Sequence, residues 1–401
     1  MLWDLARDGG HTLFCAPGNA GTRQIATNLA INVNDHEGLL AAAEEYAIDM
    51  TVVGPEAPLA SGLVDRFQAS GLTIFGPSQA AAKLESSKLF ARDFMAEFGI
   101  PHPQYTACGS KEAVRKAVGK TGFPIVLKAD GLAAGKGVII CLSRDDMDEA
   151  LVQFFDTRAF GDAGLVLSVE QCLVGTEISV FALSDGERIC VIGTAQDYKR
   201  AYDGNAGPNT GGMGSISPSP IMTPMLLKEI KTTILQPTVD GMQKRGTPYA
   251  GFLYAGLMMS DGKPYVIEYN VRLGDPETQV VLPLMATSFY ELIAGAASGR
   301  LPDEAKTHAG AAVSVVLAAE GYPGSYAKGQ PIAGLDRLDD GLLVFHAGTA
   351  LDEDGRLVSN GGRVLNIVSR GANFREAAQR VYGNIGRIEF PGSFYRSDIG
   401  E

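Results

Sequence analysis

A glycine-rich turn between two apolar runs is the feature that most constrains this chain. In Lys128–Ile140, KADGLAAGKGVII, one apolar run precedes the glycines and Val138–Leu142 follows them. The phosphate loop of nucleotide hydrolases requires the spacing GxxxxGK[ST] ahead of a helix, whose amides cradle phosphate while the hydroxyl holds Mg²⁺. Here Gly131 and Gly135 are one residue too close, and a glycine follows Lys136 where a hydroxyl is needed. The segment therefore excludes a phosphate-loop hydrolase or kinase and predicts a strand, a turn and a second strand.

Overall composition indicates a globular protein that does not bind nucleic acid. The 401 residues are 45% hydrophobic and 20% charged, which is sufficient apolar content for two or three well-packed domains. The 34 basic residues are outnumbered by 46 acidic ones, giving a formal charge of −12. A phosphate-bearing ligand would therefore need a local cluster of basic side chains.

The cysteines and the apolar pattern favour the cytoplasm. Five cysteines are widely spaced and include no CxxC pair, so neither a disulfide framework nor a zinc ribbon is predicted. No apolar run approaches the roughly 18 residues of a membrane span, and the first residues lack the pattern of a signal peptide. We therefore expect a reduced, cytoplasmic protein without a membrane anchor.

Three short apolar runs near the N terminus predict a parallel α/β sheet. Thr12–Cys15, Met50–Val53 and Thr73–Phe75 alternate with helical stretches, and each ends in a turn: APGNAGT, GPEAPL and GPS. Ligands bind at the carboxyl ends of strands in open α/β sheets, so these turns are predicted to face a substrate. Turn formation alone would also explain their glycine, proline and asparagine residues.

A helix and a series of strands follow. Ser87 is a suitable N-cap and Gly99 a suitable end for a helix with Phe90, Phe94 and Phe98 on one face. Beyond a proline-rich linker, the pattern predicts antiparallel strands at 165–171, 177–183, 188–195, 251–259 and 265–270, helices at 223–244 and 287–298, strands at 311–318, 342–347 and 363–369, and a helix at 373–384. A tight hairpin turn is predicted at Ser260–Lys263.

The segment VIEYNVRLGDPE places three polar side chains on one strand face. Strand alternation brings Glu268, Asn270 and Arg272 together. Two oxygen ligands suit Mg²⁺, which usually completes its coordination shell with phosphates and water, and the arginine is suited to hold a carboxylate or an acyl phosphate. A polar strand face in contact with solvent is the alternative.

A second candidate segment is VEQCLVGTE, which ends at Glu177. A strand followed by a short bridge offers backbone groups that can pair with an adenine edge, and the Glu177 carboxylate would accept hydrogen bonds from ribose hydroxyls. Lys128, at the end of the strand before the glycine-rich turn, and Lys136, within the turn, would supply positive charge to phosphates. A plain hairpin and a solvated carboxylate remain alternatives for these segments taken separately.

These three segments resemble the ATP-grasp superfamily in their order along the chain. They are a glycine-rich flap (Lys128–Ile140), a hinge followed by a glutamate (VEQCLVGTE) and a strand with the pattern ExNxR (Glu268–Arg272). Eight blocks are similar to the glycinamide ribonucleotide synthetase family in particular: APGNAGT, VVGPEAPL, KADGLAAGKGV, QDYKR, GPNTGGMG, GFLYAGLM, NVRLGDPETQ and FHAGT. The resemblance extends from Leu2 to about Gly400 and implies a multidomain α/β and α+β fold. The implied domains are an N-terminal parallel α/β substrate domain (1–86) whose first strand is missing, a central ATP-grasp domain (87–305) with a mobile lid (about 105–172), and a strand-rich C-terminal domain (306–401).

The resemblance also implies a function. It is the ATP-dependent ligation of glycine to 5-phosphoribosylamine in purine biosynthesis, through a glycyl phosphate and with Mg²⁺ or Mn²⁺, by a monomer that acts only on small molecules. The nucleotide-site residues carried over are Lys88, Lys128 and Lys136 at the ATP phosphates, Glu170 and Leu173 at the adenine, Glu177 at the ribose, and Glu268 and Asn270 at the metal. The substrate-site residues are Arg272, Asn209, Thr210, Gly211 and Asp275 at the glycine and acyl phosphate, and Asn19, Gly21 and Glu56 at the phosphoribosylamine. Arg272, Lys128 and Lys199 are the expected catalytic residues.

The chain departs from the family at its beginning. Family members start with an apolar strand and a Gly-Gly-Arg-Glu-His-type turn, whereas this sequence starts in the helix expected after them. Leu2, Trp3 and Leu5 would pack against that strand, and its absence would leave backbone groups of neighbouring strands unpaired. We expect that a start codon has been assigned too late and that the strand and turn lie upstream in frame.

Two other interpretations remain open. A different ATP-grasp ligase or carboxylase of purine synthesis would share the flap and the hinge, but GPNTGGMG and GDPETQ are not typical of it in this form. A noncatalytic nucleotide sensor would keep the ATP site and release no phosphate with glycine and phosphoribosylamine. Ligation requires no protein nucleophile, which agrees with a sequence that suggests no Ser/His/Asp or Cys/His arrangement.

Overall fold

A nine-stranded sheet and a four-stranded sheet are the two largest sheets of the fold, and two-stranded sheets accompany them. The computed structural model describes residues 1–132 and 137–401. Within these ranges, no helix combines the length and the apolar character needed to cross a membrane. The predicted strand–turn–strand at the glycine-rich segment is confirmed on both sides of the turn, while Lys136 itself lies outside the described residues.

Short parallel strand pairs and helices form the N-terminal part. The three predicted strands are present but only two residues long, and a further strand follows the first. The first pairs with the second and the third with the fourth, in two separate parallel sheets. The elements are α1 (Leu2–Asp8), β1 (Phe14–Cys15), β2 (Thr27–Asn28), α2 (His36–Glu45), β3 (Thr51–Val52), α3 (Glu56–Ala60), α4 (Leu63–Ala69), β4 (Ile74–Phe75) and α5 (Lys83–Ser86).

Helix α6 (Lys88–Phe98) begins and ends as the sequence predicts. The Ser87 hydroxyl accepts a hydrogen bond from the Phe90 amide, and Gly99 ends the helix in the left-handed conformation with φ of 67°. Phe94 is fully buried between the rings of Phe90 and Phe98. This apolar face fixes the helix against the core and so determines where the polar residues of its first turns lie.

The four-stranded antiparallel sheet, called the small sheet below, has the order β5-β8-β6-β7. It has its own apolar core, in which Leu127, Leu151 and Leu167 are fully buried. Its elements are β5 (Tyr105–Cys108), α7 (Lys111–Thr121), β6 (Ile125–Ala129), β7 (Val138–Cys141), α8 (Arg144–Leu151) and β8 (Leu167–Gln171), with a π-helical turn at Val152–Asp156.

The nine-stranded sheet has the order β15-β14-β9-β10-β13-β16-β20-β17, with β21 paired to β16. Alternate residues of β9 face opposite cores: Val180 and Ala182 pack on the side of α6, and Phe181 and Leu183 pack on the other side. The predicted hairpin is confirmed, with positive φ at Asp261. The elements are β9 (Thr176–Asp185), β10 (Ile189–Asp197), β11 (Arg200–Tyr202), β12 (Ala206–Asn209), β13 (Gly214–Ser217), α9 (Pro224–Ile230), α10 (Gln236–Lys244), β14 (Ala250–Ser260), β15 (Lys263–Asn270), α11 (Thr278–Val281) and α12 (Phe289–Ala297).

The C-terminal strands β16, β17, β20 and β21 continue this same sheet, because β13 pairs with β16 in antiparallel register, whereas β18 and β19 form a separate pair. The predicted last helix is confirmed, and the Asn373 side chain caps it by accepting a hydrogen bond from the Glu376 amide. The elements are β16 (Ala311–Ala319), β17 (Leu343–His346), β18 (Thr349–Leu351), β19 (Leu357–Ser359), β20 (Arg363–Gly371), α13 (Phe374–Ile385) and β21 (Ser393–Phe394). The sheet therefore joins the C-terminal residues to the strands that line the cleft described below.

The packing of α6 generates a stability prediction. Replacing Phe94 by alanine should lower the free energy of unfolding by about 3–5 kcal/mol, because the buried ring leaves a cavity that its surroundings fill only in part. Phe94→Leu should cost clearly less. Urea unfolding followed by circular dichroism measures both, and equal stability of Phe94→Ala and the wild type would contradict the packing described for this helix.

Candidate active site

A single cleft of about 900 Å³ contains every described residue that the sequence assigned to ligand binding or catalysis. Its walls come from the small sheet, the end of β15, the N-terminal turns and the C-terminal strands. The predicted residues that line it are Asn19, Gly21, Glu56, Lys88, Lys128, Glu170, Leu173, Glu177, Lys199, Asn209, Thr210, Gly211, Glu268, Asn270, Arg272 and Asp275. Residues from distant parts of the chain are thus brought to one site.

Glu268 lies near the end of β15 opposite an ammonium group. Its carboxylate is 3.7 Å from the Nζ of Lys88, which begins α6. Burial raises the pKa of Glu268, but the nearby ammonium groups of Lys88 and Lys199 outweigh burial and lower that pKa to about 2. Gly256 is directly opposite on β14, where a Cβ atom would be 3.0 Å from the Cγ of Glu268. The glycine leaves this ionised carboxylate room to turn into the cleft.

The donor set at this position fits Mg²⁺. Asn270 follows Glu268 by two residues on β15, is 7% exposed and lines the same cleft. An ionised carboxylate and an amide oxygen are hard oxygen ligands, and Mg²⁺ typically takes its remaining ligands from phosphates and water. Across residues 1–132 and 137–401, no three His, Cys, Asp or Glu side chains cluster as a metal cage. A divalent ion held at Glu268 and Asn270 would therefore depend on ligands brought by a substrate.

Lys128 lies at the end of β6 within a buried ion-pair network. Its Nζ is 3.1 Å from a Glu170 carboxylate oxygen and donates a hydrogen bond of 2.8 Å to the carbonyl of Ile267. Arg92 of α6, which the sequence reasoning missed, pairs with the same carboxylate at 2.7 Å. Burial opposes ionisation of Glu170, yet Lys128 and Arg92 lower its pKa to about 2. The Glu170 side chain therefore serves this network, and its contribution to a ligand in the cleft would come from its backbone.

The hinge between β8 and β9 carries Leu173, and Glu177 is the second residue of β9. Gly175 lies against the neighbouring strand so closely that a Cβ atom would be 1.8 Å from the carbonyl oxygen of Met259. Any side chain at this position would displace the hinge. The Glu177 carboxylate forms an ion pair with Lys199, and both side chains line the cleft.

Arg272 is held by two carboxylates. Its Nε is 3.3 Å from Glu56, at the N-terminal GPEAPL turn, and its Nη2 is 3.2 Å from Glu85. Glu85 is 4% exposed and also accepts a hydrogen bond from the Val271 amide. Burial raises the pKa of Glu85, and Arg272 offsets part of that effect. The arrangement fixes the guanidinium at the mouth of the cleft, between the N-terminal turns and β15.

The glycine-rich loop Gly207–Gly214 is tied to both neighbouring segments. Thr210 donates a hydrogen bond to the carbonyl of Lys199. Arg363, at the start of β20, donates to the carbonyl of Gly211 and forms an ion pair of 3.0 Å with Asp275. Arg363, from the C-terminal part of the chain, thus holds together two loops that the sequence predicts to bind substrate.

Asn19 and Gly21 lie where the first N-terminal turn meets β17. The Asn19 amide group donates to the carbonyls of His346 and Ala347, and its oxygen accepts from the amides of Gly21 and Thr22. A Cβ atom at Gly21 would be 2.6 Å from the His346 side chain. In this structure the Asn19 side chain shapes the turn, and Asn19, Gly21 and Thr22 line the cleft.

A buried carboxyl group, Glu277, and a partly buried one, Asp197, lie near Lys199. Glu277 is 4% exposed and accepts a hydrogen bond of 3.1 Å from the Tyr254 hydroxyl. Burial and the nearby Asp197 raise the pKa of Glu277 to about 7, and burial also raises the pKa of Asp197. Asp197 follows Gln196 at the start of the QDYKR block, and no spacing pattern in the sequence connects it with Glu277.

The functional residues that were not predicted differ in whether a local sequence pattern could have revealed them. Arg92 is one helical turn after Lys88 on a predicted helix, so its position beside the cleft was accessible from periodicity. Glu85, Tyr254 and Arg363 belong to segments without a polar pattern of their own, and only tertiary contacts reveal them. Glu85 and Arg363 orient Arg272 and Asp275, which the sequence had singled out, and Tyr254 donates a hydrogen bond to Glu277.

Family models and curated relatives match this chain over nearly its full length. The models of the phosphoribosylglycinamide synthetase N domain, ATP-grasp (A) domain and C domain match residues 1–85, 86–278 and 312–401. A phosphoribosylamine–glycine ligase from Vibrio parahaemolyticus is 46% identical over 404 residues, covering 99% of this chain and 94% of the relative. One from Agrobacterium fabrum is 46% identical over 402 residues, covering 100% and 95%.

Solved structures agree. The phosphoribosylamine–glycine ligase of Thermotoga maritima superposes with a TM-score of 0.87 at 36% identity, covering 99% of this chain and 96% of that one. The biotin carboxylase domain of the Hydrogenobacter thermophilus 2-oxoglutarate carboxylase, solved with MgADP, has a TM-score of 0.75 at 16% identity, covering 98% and 88%, which indicates a common fold. The expected ATP-grasp architecture is confirmed, and the chain belongs to the phosphoribosylglycinamide synthetase family.

Proposed function

We propose that this protein uses ATP to ligate glycine to 5-phosphoribosylamine, producing glycinamide ribonucleotide, ADP and phosphate in purine biosynthesis. The observation that carries the proposal is the meeting of Lys88 and Lys128 with Glu268 and Asn270 in one cleft. Cations suited to phosphate lie beside oxygen ligands suited to Mg²⁺. The named ligases of Vibrio, Agrobacterium and Thermotoga align over nearly the full chain and support the same reaction.

ATP would lie between the hinge and the end of β15. The backbone from Glu170 to Leu173 would pair with the adenine, and Glu177 would accept hydrogen bonds from the ribose hydroxyls. Lys88 and Lys128 would contact the phosphates, together with Lys136 outside the described residues. The distance of 2.8 Å from the Lys128 Nζ to the carbonyl of Ile267, next to Glu268 in sequence, supports this order along the nucleotide.

Glu268 and Asn270 would hold Mg²⁺ or Mn²⁺. The pKa of about 2 keeps Glu268 ionised at neutral pH, so the carboxylate is ready for a cation. A divalent ion bound there would offset negative charge on the transferring phosphoryl group. The protein's own part is to keep this carboxylate and the Lys88 ammonium on the two sides of the phosphates.

Glycine would lie next to Arg272, whose guanidinium can pair with a carboxylate through two hydrogen bonds. A free carboxylate is a poor electrophile, so glycine must first take the γ-phosphoryl group and become a glycyl phosphate. The amine of phosphoribosylamine then attacks the carbonyl carbon, the C–O bond to phosphate breaks, and phosphate leaves. Arg272, Lys128 and Lys199 would offset the charge that develops, and no covalent bond to the protein is needed.

Phosphoribosylamine would bind between the N-terminal turns and the glycine-rich loop. Asn19, Gly21 and Glu56 border one side of this part of the cleft, and Asn209, Thr210, Gly211 and Asp275 border the other. The ion pair between Glu56 and Arg272, at 3.3 Å, supports the proposal that the two substrates meet there. The amine of one would then lie near the activated carboxyl group of the other.

Water has to be excluded, because an acyl phosphate hydrolyses readily. We assign this role to the part of the chain that contains the small sheet, about residues 105–172, which would be a mobile lid. The lid would belong to a central domain (87–305), which follows an N-terminal substrate domain (1–86) and precedes a C-terminal domain (306–401). The separate core of the small sheet supports a movement as one body. A cytoplasmic monomer acting on small molecules agrees with the five free cysteines and the charge of −12.

The reaction itself is tested by a coupled assay of ADP release. With Mg²⁺ and ATP present, we expect sustained ADP formation only when glycine and phosphoribosylamine are both supplied, because the second substrate is needed to release phosphate from the acyl intermediate. Omitting glycine is the control. No ADP release with the complete mixture would favour a nucleotide sensor instead.

The metal ligands generate a second prediction. Glu268→Gln should lower kcat at least about 100-fold and raise the Mg²⁺ concentration needed for half-maximal rate, because a preorganised charge at the transferring phosphoryl group is lost. Glu291→Gln, at an exposed position of α12, is the matched control and should behave as the wild type. An unchanged Mg²⁺ requirement in Glu268→Gln would rule out this carboxylate as a metal ligand.

Arg272 generates a third prediction. Arg272→Lys should raise KM for glycine by about 10- to 100-fold while the affinity for an ATP analogue stays unchanged, because lysine keeps the charge but cannot form two parallel hydrogen bonds. Steady-state kinetics and calorimetry measure the two quantities, with the exposed Arg337→Lys as control. A shift in nucleotide affinity without a change in glycine KM would assign Arg272 to the nucleotide instead.

A further inference from the structure

Arg92 joins three elements that border the nucleotide side of the cleft. It lies on α6 and is 2% exposed. Its Nε and Nη2 donate hydrogen bonds of 2.9 and 2.7 Å to the two carboxylate oxygens of Glu170 on β8. Its Nη1 and Nη2 also donate to the carbonyls of Val266 and Ile267 on β15, at 2.9 and 2.6 Å. The Arg92 guanidinium thus connects helix α6, the small sheet and strand β15, which carries Glu268.

Two cations share the single carboxylate of this network. Lys128 contacts Glu170 at 3.1 Å, and the Ser168 hydroxyl donates to the same carboxylate at 3.0 Å. Arg92 alone already occupies both carboxylate oxygens in the forked geometry that arginine prefers. The network therefore carries one positive charge more than it needs for neutrality, and that excess lies at Lys128, the cation of the network that lines the cleft.

We propose that Arg92 is a positioning residue that makes Lys128 available to nucleotide phosphate. Because Arg92 keeps Glu170 paired, the Lys128 ammonium can exchange its contact with Glu170 for a phosphate oxygen. Without Arg92, that exchange would leave a buried carboxylate without a counter-ion, which is strongly unfavourable. Lys128 would then stay on Glu170, and its charge would be neutralised there. The inference rests on the proposed function, in which Lys128 contacts the phosphates of ATP.

Arginine is suited to this role in a way that lysine is not. The four acceptors around Arg92 lie in the directions of a rigid planar fork, and a lysine ammonium has three donors on a flexible chain. A lysine at this position would retain the charge but could not satisfy Glu170 and both carbonyls of β15 together. The identity of residue 92 should therefore affect phosphate binding even when its charge is kept.

The test compares Arg92→Met with the double variant Arg92→Met/Glu170→Gln, using calorimetric binding of a nonhydrolysable ATP analogue with Mg²⁺ and, separately, of adenosine. Arg92→Met should weaken analogue binding at least about tenfold, the usual cost of losing a hydrogen bond to a charged group, and leave adenosine binding unchanged. The double variant should recover most of the lost analogue affinity, because no carboxylate remains to hold Lys128. Arg245→Met, which removes a partly exposed arginine from the same region, is the matched control and should bind as the wild type.

A purely structural role for Arg92 gives a different result. Removing Glu170 as well would then not restore affinity, since the connection among the three elements stays broken, and this outcome would overturn the proposal. So would wild-type analogue binding by Arg92→Met. If Arg92→Met does not fold, Arg92→Gln with and without Glu170→Gln provides the same comparison, because glutamine also removes the charge while keeping hydrogen-bond donors. Analogue binding by the wild-type protein separates the proposed ligation reaction from the proposed role of Arg92. If the wild-type protein binds the analogue but releases no ADP with both substrates, ligation is contradicted. The role of Arg92 can still be tested in that case, because its test measures only binding.

Discussion

The cleft of this protein depends on one electrostatic arrangement: an ionised carboxylate near the end of β15 faces a lysine that begins α6. The distance of 3.7 Å between Lys88 and Glu268 is close enough for strong attraction, yet leaves both groups at the cleft surface. In a partly desolvated site such a pair is far stronger than on the surface. A metal-bound triphosphate has the same alternation of charge, so it can replace the direct pair without leaving either residue unpaired.

The fold explains why these groups can be held so firmly. Lys88 is positioned by a helix whose phenylalanine face packs against the core, and Glu268 lies on a strand paired along its length with the neighbouring strand β14. The small sheet reaches the same place through Lys128, which contacts both Glu170 and the carbonyl of Ile267 on β15. Helix α6 and strand β15 thus contact the small sheet through charged groups, and a ligand that competes for those charges would alter this contact.

Several elements were predictable because their information is local. Caps and periodicity defined α6 from Ser87 to Gly99, and strand alternation correctly placed Glu268 and Asn270 on one face near the end of β15. The remaining interactions are set by contacts between distant segments. Arg92 and Glu170 are 78 residues apart, and Arg363 and Asp275 are 88 apart, so no spacing rule connects them. The continuous sheet that joins β13 to β16 was missed for the same reason, since strand patterns predict strands but not their partners.

The most direct measurement is a crystal structure of the wild-type protein with Mn²⁺ and a nonhydrolysable ATP analogue, in which anomalous scattering locates the metal. We expect an anomalous peak within coordination distance, about 2.0–2.2 Å, of the Glu268 carboxylate and the Asn270 amide oxygen. The β- and γ-phosphates should lie between that peak and the ammonium groups of Lys88 and Lys128. A nucleotide bound outside this cleft, or a metal peak in contact with neither Glu268 nor Asn270, would contradict the account.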